Sequence, residues 1–545
     1  MKQFRLKNPL SSIKNLWQLN LLMSLLFVAL FNFSFWQEIQ KIVHPSSLVD
    51  YLFVTSILIL LVLIINLVFT LFTTVNTYKY FYGLIFSFSA ISCYYIAQYN
   101  ILIDSEMIRN VIETNPAEAK DLLGLNLFLY IGLFGSIPIL LILKTRINKA
   151  TIGRFLLGKL KVTAITTVAI MAVLYINYPS FASLARNHQY LSHMIVPTNF
   201  IFAGISYAND QVQDAQMPFN DIAQDAEIDD KNLPHRKKVL IMIVGETARA
   251  DRFSINGYPR DTTPLLNDRE LINFNHTSSC GTNTATSLPC LFSHLGRKAY
   301  QHKIARNTAN LLDFYKHAGI DVQWRDNNTG CKGICDRTDY LDLSKANDPV
   351  LCHSEECYDE ILLQGLEEQI NNNTNDQFIV LHQKGSHGPA YYLRYPPAFE
   401  KFKPTCKDTQ LQKCSNEALS NSYDNTIVYT DYFINETMKL LESLDTGTEA
   451  SLVYVSDHGE SLGENNLYLH GTPYFMAPES QTHVPFLYWT SASSGDSSLS
   501  MSCLKHNNTQ PVSHDNLFHS LLGLMHVSTS QYLPQLDIFA KCHIS

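Results

Sequence analysis

The sequence lacks several patterns that mark common classes of enzyme and binding protein. It contains no internal repeat and no P-loop glycine pattern, so a nucleotide cofactor is not indicated. It has no CxxC pair of the kind that builds cysteine-rich zinc sites. Its basic residues form no continuous stripe and its formal net charge is -8. The chain is therefore not expected to bind nucleic acid.

Charged residues are missing from five long stretches in the first third of the 545-residue chain. Each stretch is rich in Leu, Ile, Phe and Val and exceeds the roughly 20 residues that a helix needs to cross about 30 Å of hydrocarbon. A signal peptide would supply only one short run of this kind. Residues 1–185 are therefore predicted to form a five-helix transmembrane domain. The five stretches are Asn15–Gln37, Tyr51–Tyr78, Tyr80–Ile103, Leu122–Leu143 and Val162–Ala185.

Basic residues flank these stretches unequally. Residues 2–14 and 144–161 contain several Lys and Arg residues and no acid, whereas acidic residues collect in the other loops, including 104–121. By the positive-inside rule, the N-terminus is predicted to be cytoplasmic. Five crossings then place the chain after about residue 185 outside the cytoplasm.

Cysteine is nearly absent from the same third of the chain. Of the eleven cysteines, only Cys93 precedes residue 236. An even set of closely spaced cysteines is typical of an oxidising compartment, so the exported part is predicted to contain five disulfides. Sequence neighbours suggest the pairs Cys280–Cys290, Cys331–Cys335, Cys352–Cys357 and Cys406–Cys414, which leaves Cys503 and Cys542 as the remaining pair.

The exported part has the pattern of an α/β domain. Residues 186–235 are polar and mixed, and they are predicted to be a bridging or interfacial segment. From residue 236 to residue 545, short apolar runs alternate with helical segments, which predicts a mostly parallel sheet between helices. The strand candidates are Val239–Val244, Val322–Trp324, Phe378–His382, Ser451–Val455 and Pro485–Trp489. The helix candidates include Asn307–Ala318, Tyr358–Asn371, Ser415–Leu444 and Asn516–Leu524.

Two of the predicted strands end at side chains that suit a metal ion. The first leads to Glu246, and the fourth leads to Asp457 and His458. Side chains at the carboxyl ends of parallel strands meet at one edge of the sheet. Oxygen and nitrogen ligands together suit zinc, or manganese if further oxygens join. For Glu246 an N-cap of the next helix is an alternative role.

The loop CGTNTATSLPC, Cys280–Cys290, offers a hydroxyl nucleophile at this edge. Thr282, Thr284, Thr286 and Ser287 are all candidates, and the residues alone do not select one of them. Coordination to zinc would lower the pKa of such a hydroxyl, as it lowers that of bound water to about 7. A disulfide that closes the loop would hold the nucleophile in place.

Three histidines form a second set of candidates. His382 ends a predicted strand, whereas His387 and His470 lie beside glycines in loops. Histidines near a metal can bind a second ion, bind a phosphate or protonate a leaving group. Lys332 lies between two cysteines and is a fixed cation that could bind a phosphate.

A charged segment between the third and fourth stretches carries a four-residue repeat. Asn110, Thr114 and Glu118 would share one face of a helix. From the spacing alone, the solvated face of an interfacial helix is the favoured interpretation.

Taken together, these motifs resemble the lipid phosphoethanolamine transferases of Gram-negative inner membranes. That family includes the lipid A phosphoethanolamine transferases and the transferable colistin-resistance enzymes. The resemblance covers the membrane anchor, the bridge and the exported domain, and it implies an alkaline-phosphatase/sulfatase-like fold that holds one or two zinc ions. The matching motifs are IVGETARAD, SSCGTNTATSLPC, DNNTGCKGICD, GSHGPAYYLRYPP and SDHGESLGENNLYLHGTPY.

The resemblance also implies a role for each candidate. The threonine that becomes covalently modified falls on Thr284, and His387 and His470 are implied as substrate-site or second-zinc histidines and as general acids. The primary zinc ligands fall on Glu246, Thr284, Asp457 and His458. The residues implied to contact the donor's phosphoethanolamine group are Asn110, Thr114, Glu118, Thr329 and Lys332. Some family members have serine where this chain has Thr329.

The implied function is transfer of phosphoethanolamine from phosphatidylethanolamine to a phosphate of lipid A through a covalent phosphoethanolamine-threonine intermediate. This activity would confer resistance to cationic peptides such as polymyxin and colistin. The enzyme is expected to be a monomer in the inner membrane, with its catalytic domain in the periplasm. The nearest alternative uses the same donor but another acceptor, namely a core sugar of lipopolysaccharide or a periplasmic glucan.

Three other classes fit the sequence less well. A lipoteichoic-acid-type polymerase also joins five spans to this fold, but that group lacks a dense set of disulfides. A sulfatase would need a CxPxR-like motif, which does not occur around Cys280 or Cys290. A non-enzymatic scaffold would neither bind zinc nor become modified at Thr284.

Overall fold

The computed structural model describes residues 13–99, 101–113, 123–229, 236–353, 356–445, 447–491 and 499–543. The chain forms two compact units. The first contains Met1–Ile108 and Leu123–Ala208, and the second contains Arg109–Leu122 and Asn209–Ser545. The predicted boundaries at residues 185 and 235, which separate the membrane anchor, the bridging segment and the exported domain, stay predictions.

The first unit is helical. Among the described residues, four helices are long and apolar enough to cross a membrane: Leu48–Phe72, Tyr78–Tyr99, Leu125–Leu143 and Ile152–Ile176. The bent pair Leu16–Leu30 and Phe33–Val43 would make a fifth span if it crosses as one. The third of the four contains a π-helical turn at Ile131–Ser136. The remaining helices are Ser105–Glu113, Tyr178–Asn187, the 3-10 helix Gln189–Met194 and Thr198–Gln216, of which the first and last continue into the second unit.

The helices that correspond to the first and fifth predicted spans differ from the prediction, the first in its straightness and the fifth in its bounds. The first is bent by 63° at Asn32, whose buried side chain donates to the carbonyls of Phe27 and Val196 and accepts from the Val196 N–H. The Phe27 carbonyl also keeps its helical partner, the Phe31 N–H at 3.1 Å, so the Asn32 side chain adds bonds that link the bend to Val196. The last helix begins at Ile152 and ends at Ile176, about ten residues earlier than predicted. It therefore includes basic residues of the preceding loop.

The second unit is built on a seven-stranded sheet. Its strands, in chain order, are β1 (Lys238–Gly245), β2 (Ile272–Asn273), β3 (Asp321–Asp326), β4 (Asp339–Asp342), β5 (Gln377–His382), β6 (Glu449–Ser456) and β7 (Phe486–Thr490). The order across the sheet is β2-β7-β6-β1-β5-β3-β4. The five strands from β6 to β4 are parallel, and β7 pairs antiparallel with both of its neighbours. All five predicted strands are present, and the predicted mostly parallel sheet is confirmed.

Helices cover both faces of this sheet, which explains why β1 and β5 are apolar without alternation. Residues Val239–Val244 are buried along their whole length. The longest helix, Asn416–Glu442, is capped by Ser415, which accepts the Ala418 N–H at 3.2 Å. The other α-helices of this unit are Pro264–Asn267, Thr284–Leu291, Gly296–Ala299, His302–Arg306, Leu311–His317, Leu366–Asn372, Glu479–Thr482, Met501–Asn507 and Leu517–Leu524.

Short ladders and disulfides complete the second unit. The short strands are Glu227–Ile228, Thr277–Ser278, Cys352–His353, Glu356–Cys357, Ser461–Leu462, Tyr468–Leu469, His483–Val484, Val512–Ser513 and Val527–Ser528. The structure contains the same five disulfides that sequence proximity predicts: Cys280–Cys290, Cys331–Cys335, Cys352–Cys357, Cys406–Cys414 and Cys503–Cys542. Cys93 is a free cysteine.

Candidate active site

Glu246, Asp457 and His458 lie side by side because β1 and β6 are neighbours in register. Gly245 pairs with Ser456, so Glu246 and Asp457 are the next residues on two adjacent parallel strands. All three side chains are buried, and a ligand atom from each lies within 4.8 Å of the others. The structure therefore brings together the two carboxylates and the imidazole that the sequence places at the strand ends.

Thr284 faces this cluster from the first turn of the helix Thr284–Leu291. Its Oγ1 lies 3.2 Å from Oε2 of Glu246 and 3.4 Å from Nε2 of His458. Asn283 caps the helix by accepting the Thr286 N–H at 2.9 Å. The N-terminal end of a helix favours negative charge, so this position suits a hydroxyl that must become anionic.

Two of the other hydroxyl candidates point elsewhere. Thr282 donates to the carbonyl of Thr472 at 2.6 Å, and Ser287 donates to the carbonyl of Asp457. Both hydroxyls therefore tie the loop to neighbouring segments. Thr284 is the candidate whose hydroxyl contacts the carboxylate and the imidazole of the cluster.

The hydrogen bonds of His458 indicate which ring nitrogen faces the cluster. Its Nδ1 lies 2.9 Å from the carbonyl of Gly459, so we assign the proton to Nδ1. Nε2 is then the lone-pair nitrogen, 3.5 Å from Oε1 of Glu246 and 3.3 Å from Oδ2 of Asp457. Burial lowers the pKa of His458 well below its ordinary value, so the ring is neutral. A neutral imidazole with a fixed tautomer is the form that binds a metal ion.

Asp457 presents one oxygen to the cluster and uses the other for the backbone. Oδ1 accepts the N–H groups of Thr247 and His458. Oδ2 is buried and has no hydrogen-bond partner among the described residues. Burial raises the pKa of Asp457 to about 6, although the two N–H groups oppose that shift. A buried carboxylate oxygen that faces an imidazole lone pair fits a bound cation, so these residues suit a metal ion.

The turn after β1 is strained. Thr247 has a φ of 52°, a left-handed conformation that is rare for a β-branched residue. Its carbonyl accepts the Tyr423 hydroxyl at 2.6 Å, and its N–H donates to Asp457. These contacts hold a conformation that costs of order 1–3 kcal/mol. The strained turn fixes the backbone next to Glu246.

Two glycines allow other segments to approach the cluster closely. A Cβ at Gly459 would lie 2.1 Å from the carbonyl oxygen of Ser480. Gly385 has a φ of 52°, and a Cβ there would lie 2.8 Å from the carbonyl oxygen of Glu246. Gly459 in SDHGE and Gly385 in KGSHG are therefore required for packing at this edge.

His387 and His470 both lie near the cluster. The ring centroid of His470 lies 4.5 Å from that of His458 and 5.6 Å from that of His387. Nδ1 of His470 lies 3.4 Å from Oε1 of Glu460, whose side chain is completely buried. The two histidines are thus positioned to interact with a group bound at the cluster.

The loop after β3 brings further polar residues to the same edge. Asn328 donates to Oε2 of Glu246 at 2.8 Å. Nζ of Lys332 lies 3.2 Å from the carbonyl of Thr329 and 3.4 Å from the carbonyl of Glu113. Glu113 ends the helix Ser105–Glu113, which contains Asn110. Two predicted donor contacts, Thr114 and Glu118, lie outside the described residues.

Three elements of this site were not identified from the sequence. They are the amide of Asn328, the carboxylate of Asp326, which pairs with the predicted candidate His382, and the carboxylate of Glu460. Asp326 and Asn328 follow a predicted strand in DNNTG, which is the signal that could have pointed to them. Glu460 follows the predicted ligands within SDHGE, but nothing in that spacing indicates a contact with His470.

Comparison with known proteins agrees with this arrangement. The sheet, with its polar cluster at the carboxyl edge, falls within residues 238–527, which match the sulfatase family model. Residues 61–212 match the model described as phosphoethanolamine transferase EptA/EptB. The chain belongs to the phosphoethanolamine transferase EptA family, because it is also 41% identical to phosphoethanolamine transferase EptA of Escherichia coli K12, over 96% of this chain and 97% of that protein.

Two further similarities support this membership. The chain is 34% identical to phosphatidylethanolamine transferase Mcr-1 of Escherichia coli, over 84% of this chain and 86% of that protein. Its structure is similar to that of the integral membrane protein lipooligosaccharide phosphoethanolamine transferase A (EptA) from Neisseria meningitidis. That match has a TM-score of 0.91 and 35% identity, and it covers 97% of this chain and 99% of the other. The family and the sulfatase-like fold predicted from the sequence are confirmed.

Proposed function

We propose that this protein transfers phosphoethanolamine from phosphatidylethanolamine to a phosphate of lipid A. The observation that carries the proposal is the position of Thr284, whose hydroxyl lies 3.2 Å from Glu246 and 3.4 Å from His458 at a helix N-terminus. A hydroxyl beside a buried set of carboxylate and imidazole side chains that suit a metal ion is an arrangement that supports nucleophilic phosphoryl transfer. The names of the relatives supply the transferred group, the donor and the class of acceptor.

The metal that best suits this site is zinc. Glu246, Asp457 and His458 offer carboxylate and imidazole ligands, and Thr284 would supply a fourth. A bound zinc ion would lower the pKa of the Thr284 hydroxyl and offset negative charge on the phosphoryl oxygens. His387 and His470 could bind a second zinc ion, so the enzyme would hold one or two.

In the first step, the Thr284 hydroxyl loses its proton to water, and its Oγ1 forms a bond to the phosphorus of phosphatidylethanolamine. The bond from phosphorus to the glycerol oxygen breaks, and diacylglycerol leaves as its alkoxide. His387 or His470 donates a proton to this alkoxide, because both rings lie beside the cluster. The product of the step is a phosphoethanolamine ester of Thr284.

In the second step, a phosphate oxygen of lipid A forms a bond to the same phosphorus. The bond to Thr284 breaks, and the threonine oxygen and the histidine that acted as general acid each take up a proton from water. The Lys332 ammonium would bind the phosphoryl oxygens, and Thr329 would contact the same group. Asn110 lies on the helix Ser105–Glu113, whose last residue contacts Lys332, and it would contact the donor head group. Thr114 and Glu118, which follow in the sequence, would contact the same group.

The helical unit suits an enzyme whose two substrates are both lipids. We place it in a Gram-negative inner membrane with a cytoplasmic N-terminus, because the basic residues cluster in segments 2–14 and 144–161. The five disulfides of the second unit favour a periplasmic location for that unit. We propose that it acts as a monomer and confers resistance to polymyxin and colistin.

The test is mass spectrometry of lipid A from cells that express the wild-type protein, Thr284→Ala or Thr286→Ala. We expect lipid A to gain one phosphoethanolamine with the wild type and with Thr286→Ala, and to remain unmodified with Thr284→Ala. Unmodified lipid A in all three strains, at equal protein levels, would refute lipid A as the acceptor. Phosphoethanolamine on the lipopolysaccharide core or on a periplasmic glucan would instead support the alternative acceptor.

A further inference from the structure

Asn328 connects three neighbouring strands at the edge of the sheet that carries the cluster. It follows β3, and its Nδ2 donates to the carbonyl of Gln383, after β5, at 2.9 Å. The same Nδ2 donates to Oε2 of Glu246, after β1, at 2.8 Å. Both hydrogens of the amide are therefore used. Asn328 is buried, so water does not compete for these contacts.

The buried pair of His382 and Asp326 also contacts the Asn328 side chain. Nε2 of His382 lies 3.3 Å from Nδ2 of Asn328, and Nδ1 of His382 lies 2.6 Å from Oδ1 of Asp326. Asp326 in turn accepts the N–H groups of the Trp324 indole and of Gly330. With the proton on Nδ1 beside Asp326, His382 presents its Nε2 lone pair to Nδ2 of Asn328, where it can only share one of the two N–H groups already used. A lone pair on this side favours the amide nitrogen over the amide oxygen here, so Asp326 and His382 fix which end of the Asn328 amide faces Glu246.

The amide contacts Oε2 of Glu246, and both oxygens of this carboxylate face the Thr284 hydroxyl, at 3.3 Å for Oε1 and 3.2 Å for Oε2. Oε2 receives the Asn328 N–H, whereas Oε1 lies 3.5 Å from Nε2 of His458. A hydrogen bond to one oxygen of a carboxylate restricts the rotation of the group. The other oxygen then stays directed at the cluster.

We propose that Asn328 is a positioning residue of the metal centre. It holds the Glu246 carboxylate so that Oε1 faces the metal, and Asp326 and His382 act through Asn328. This role rests on the proposed function, because it requires a metal ion at the cluster. Partners that orient a metal ligand in this way commonly contribute 10–100-fold to metal affinity.

The experiment measures zinc affinity of the full-length protein in detergent, by competition with a chelating indicator. We expect Asn328→Ala to bind zinc 10–100-fold more weakly than the wild type. Asn328→Leu keeps the branched outline of the side chain but removes its N–H donors, and it should weaken binding by a similar factor. Asn327→Ala is the matched control, because Asn327 is equally buried but its amide contacts Cys357 and Asp359. It should keep wild-type zinc affinity.

A melting curve of the zinc-free proteins separates metal positioning from general destabilisation. If both Asn328 variants bind zinc within twofold of the wild type, Asn328 has no positioning role. The same conclusion follows if Asn327→Ala loses as much affinity at an equal loss of melting temperature. A wild-type protein that binds no zinc would refute the proposed metal centre itself, which is a different outcome.

A double-mutant cycle tests the second part of the proposal. Asp326→Asn should weaken zinc binding in the wild type but have a smaller effect in Asn328→Ala, because the pair acts through the amide. Equal effects in the two backgrounds would show that Asp326 and His382 act independently of Asn328.

Discussion

Oε1 of Glu460 lies 3.4 Å from Nδ1 of His470, and the Glu460 side chain is completely buried, whereas that of His470 is 15% exposed. A carboxylate at this distance favours a proton on Nδ1 and stabilises the doubly protonated ring. The His470 ring also lies beside His458, with centroids 4.5 Å apart. Glu460 therefore has the position expected of a residue that prepares His470 to donate a proton.

Replacing Glu460 with glutamine should slow turnover about tenfold or more, because general acid catalysis commonly contributes 10²–10⁴-fold. The charge is lost while the shape is kept, so the protonated form of His470 becomes less stable. Glu464→Gln is the control, since Glu464 lies on the same segment but pairs with Arg249. Wild-type turnover by Glu460→Gln would refute this role.

The nucleophile can be tested with two substitutions at one position. Thr284→Ala should reduce release of diacylglycerol from phosphatidylethanolamine to background, because alanine has no atom that can attack phosphorus. Thr284→Ser restores a hydroxyl at the same helix position and should recover part of the activity. Substantial release by Thr284→Ala, at a normal melting temperature, would move the role to another hydroxyl of the loop.

Zinc should control both the first step and stability. A strong chelator should stop formation of the phosphoethanolamine-modified enzyme, and so should Asp457→Ala or His458→Ala. Because zinc would bind only the folded protein, zinc at 100 times its dissociation constant should stabilise the wild type by about 2.7 kcal/mol. The two variants should show little of this stabilisation in melting curves. A modified enzyme in metal-free protein would contradict the activation of Thr284 by zinc.

Much of the fold could be predicted because it follows from local patterns. The buried strands are continuous apolar runs, and their carboxyl ends must meet in a parallel sheet. The pairing of Gly245 with Ser456 then places Glu246 beside Asp457. The cysteines pair with near neighbours, so proximity in sequence was sufficient to predict them.

The contacts that sequence could not predict depend on tertiary structure. Asn328 reaches Glu246 across 82 residues, and that distance in sequence leaves no periodic signal. The bend at Asn32 depends on hydrogen bonds with Val196, 164 residues away. The choice of Thr284 among four hydroxyls likewise required the family resemblance, because each hydroxyl's direction depends on the helix and the carbonyls around it.

Stability should decrease at acidic pH because of His514. Its Nδ1 accepts the Cys280 N–H at 3.1 Å, its Nε2 lies 3.0 Å from the Ser456 carbonyl, and burial lowers its pKa to about 3. The unfolded chain binds a proton at this histidine near its ordinary pKa of about 6.5, whereas the folded chain does not. The free energy of unfolding should therefore fall by roughly 1 kcal/mol between about pH 7.5 and 5.5 from this group.

Denaturant unfolding at several pH values checks this expectation. His514→Gln cannot take up a proton, so its unfolding free energy should depend less on pH by about that amount. The same pH dependence in the variant and the wild type would contradict it.

The last prediction concerns the helix that begins at Ser105. Nζ of Lys332 lies 3.4 Å from the carbonyl of Glu113, so the end of this helix contacts the lysine proposed to bind the phosphoryl group. Glu118 lies five residues further along the chain, and we propose that its carboxylate pairs with the donor's ammonium.

Losing the partner of a shielded charge costs about 2–5 kcal/mol, so Glu118→Ala should reduce donor turnover by tens to thousands of times. Glu106→Ala, an exposed position on the same helix, should change it little, since surface substitutions usually stay within about 0.5 kcal/mol. Both variants should keep the melting temperature and zinc content of the wild type. Near-normal turnover by Glu118→Ala would remove Glu118 from the donor site and confine the active site to the residues around Thr284.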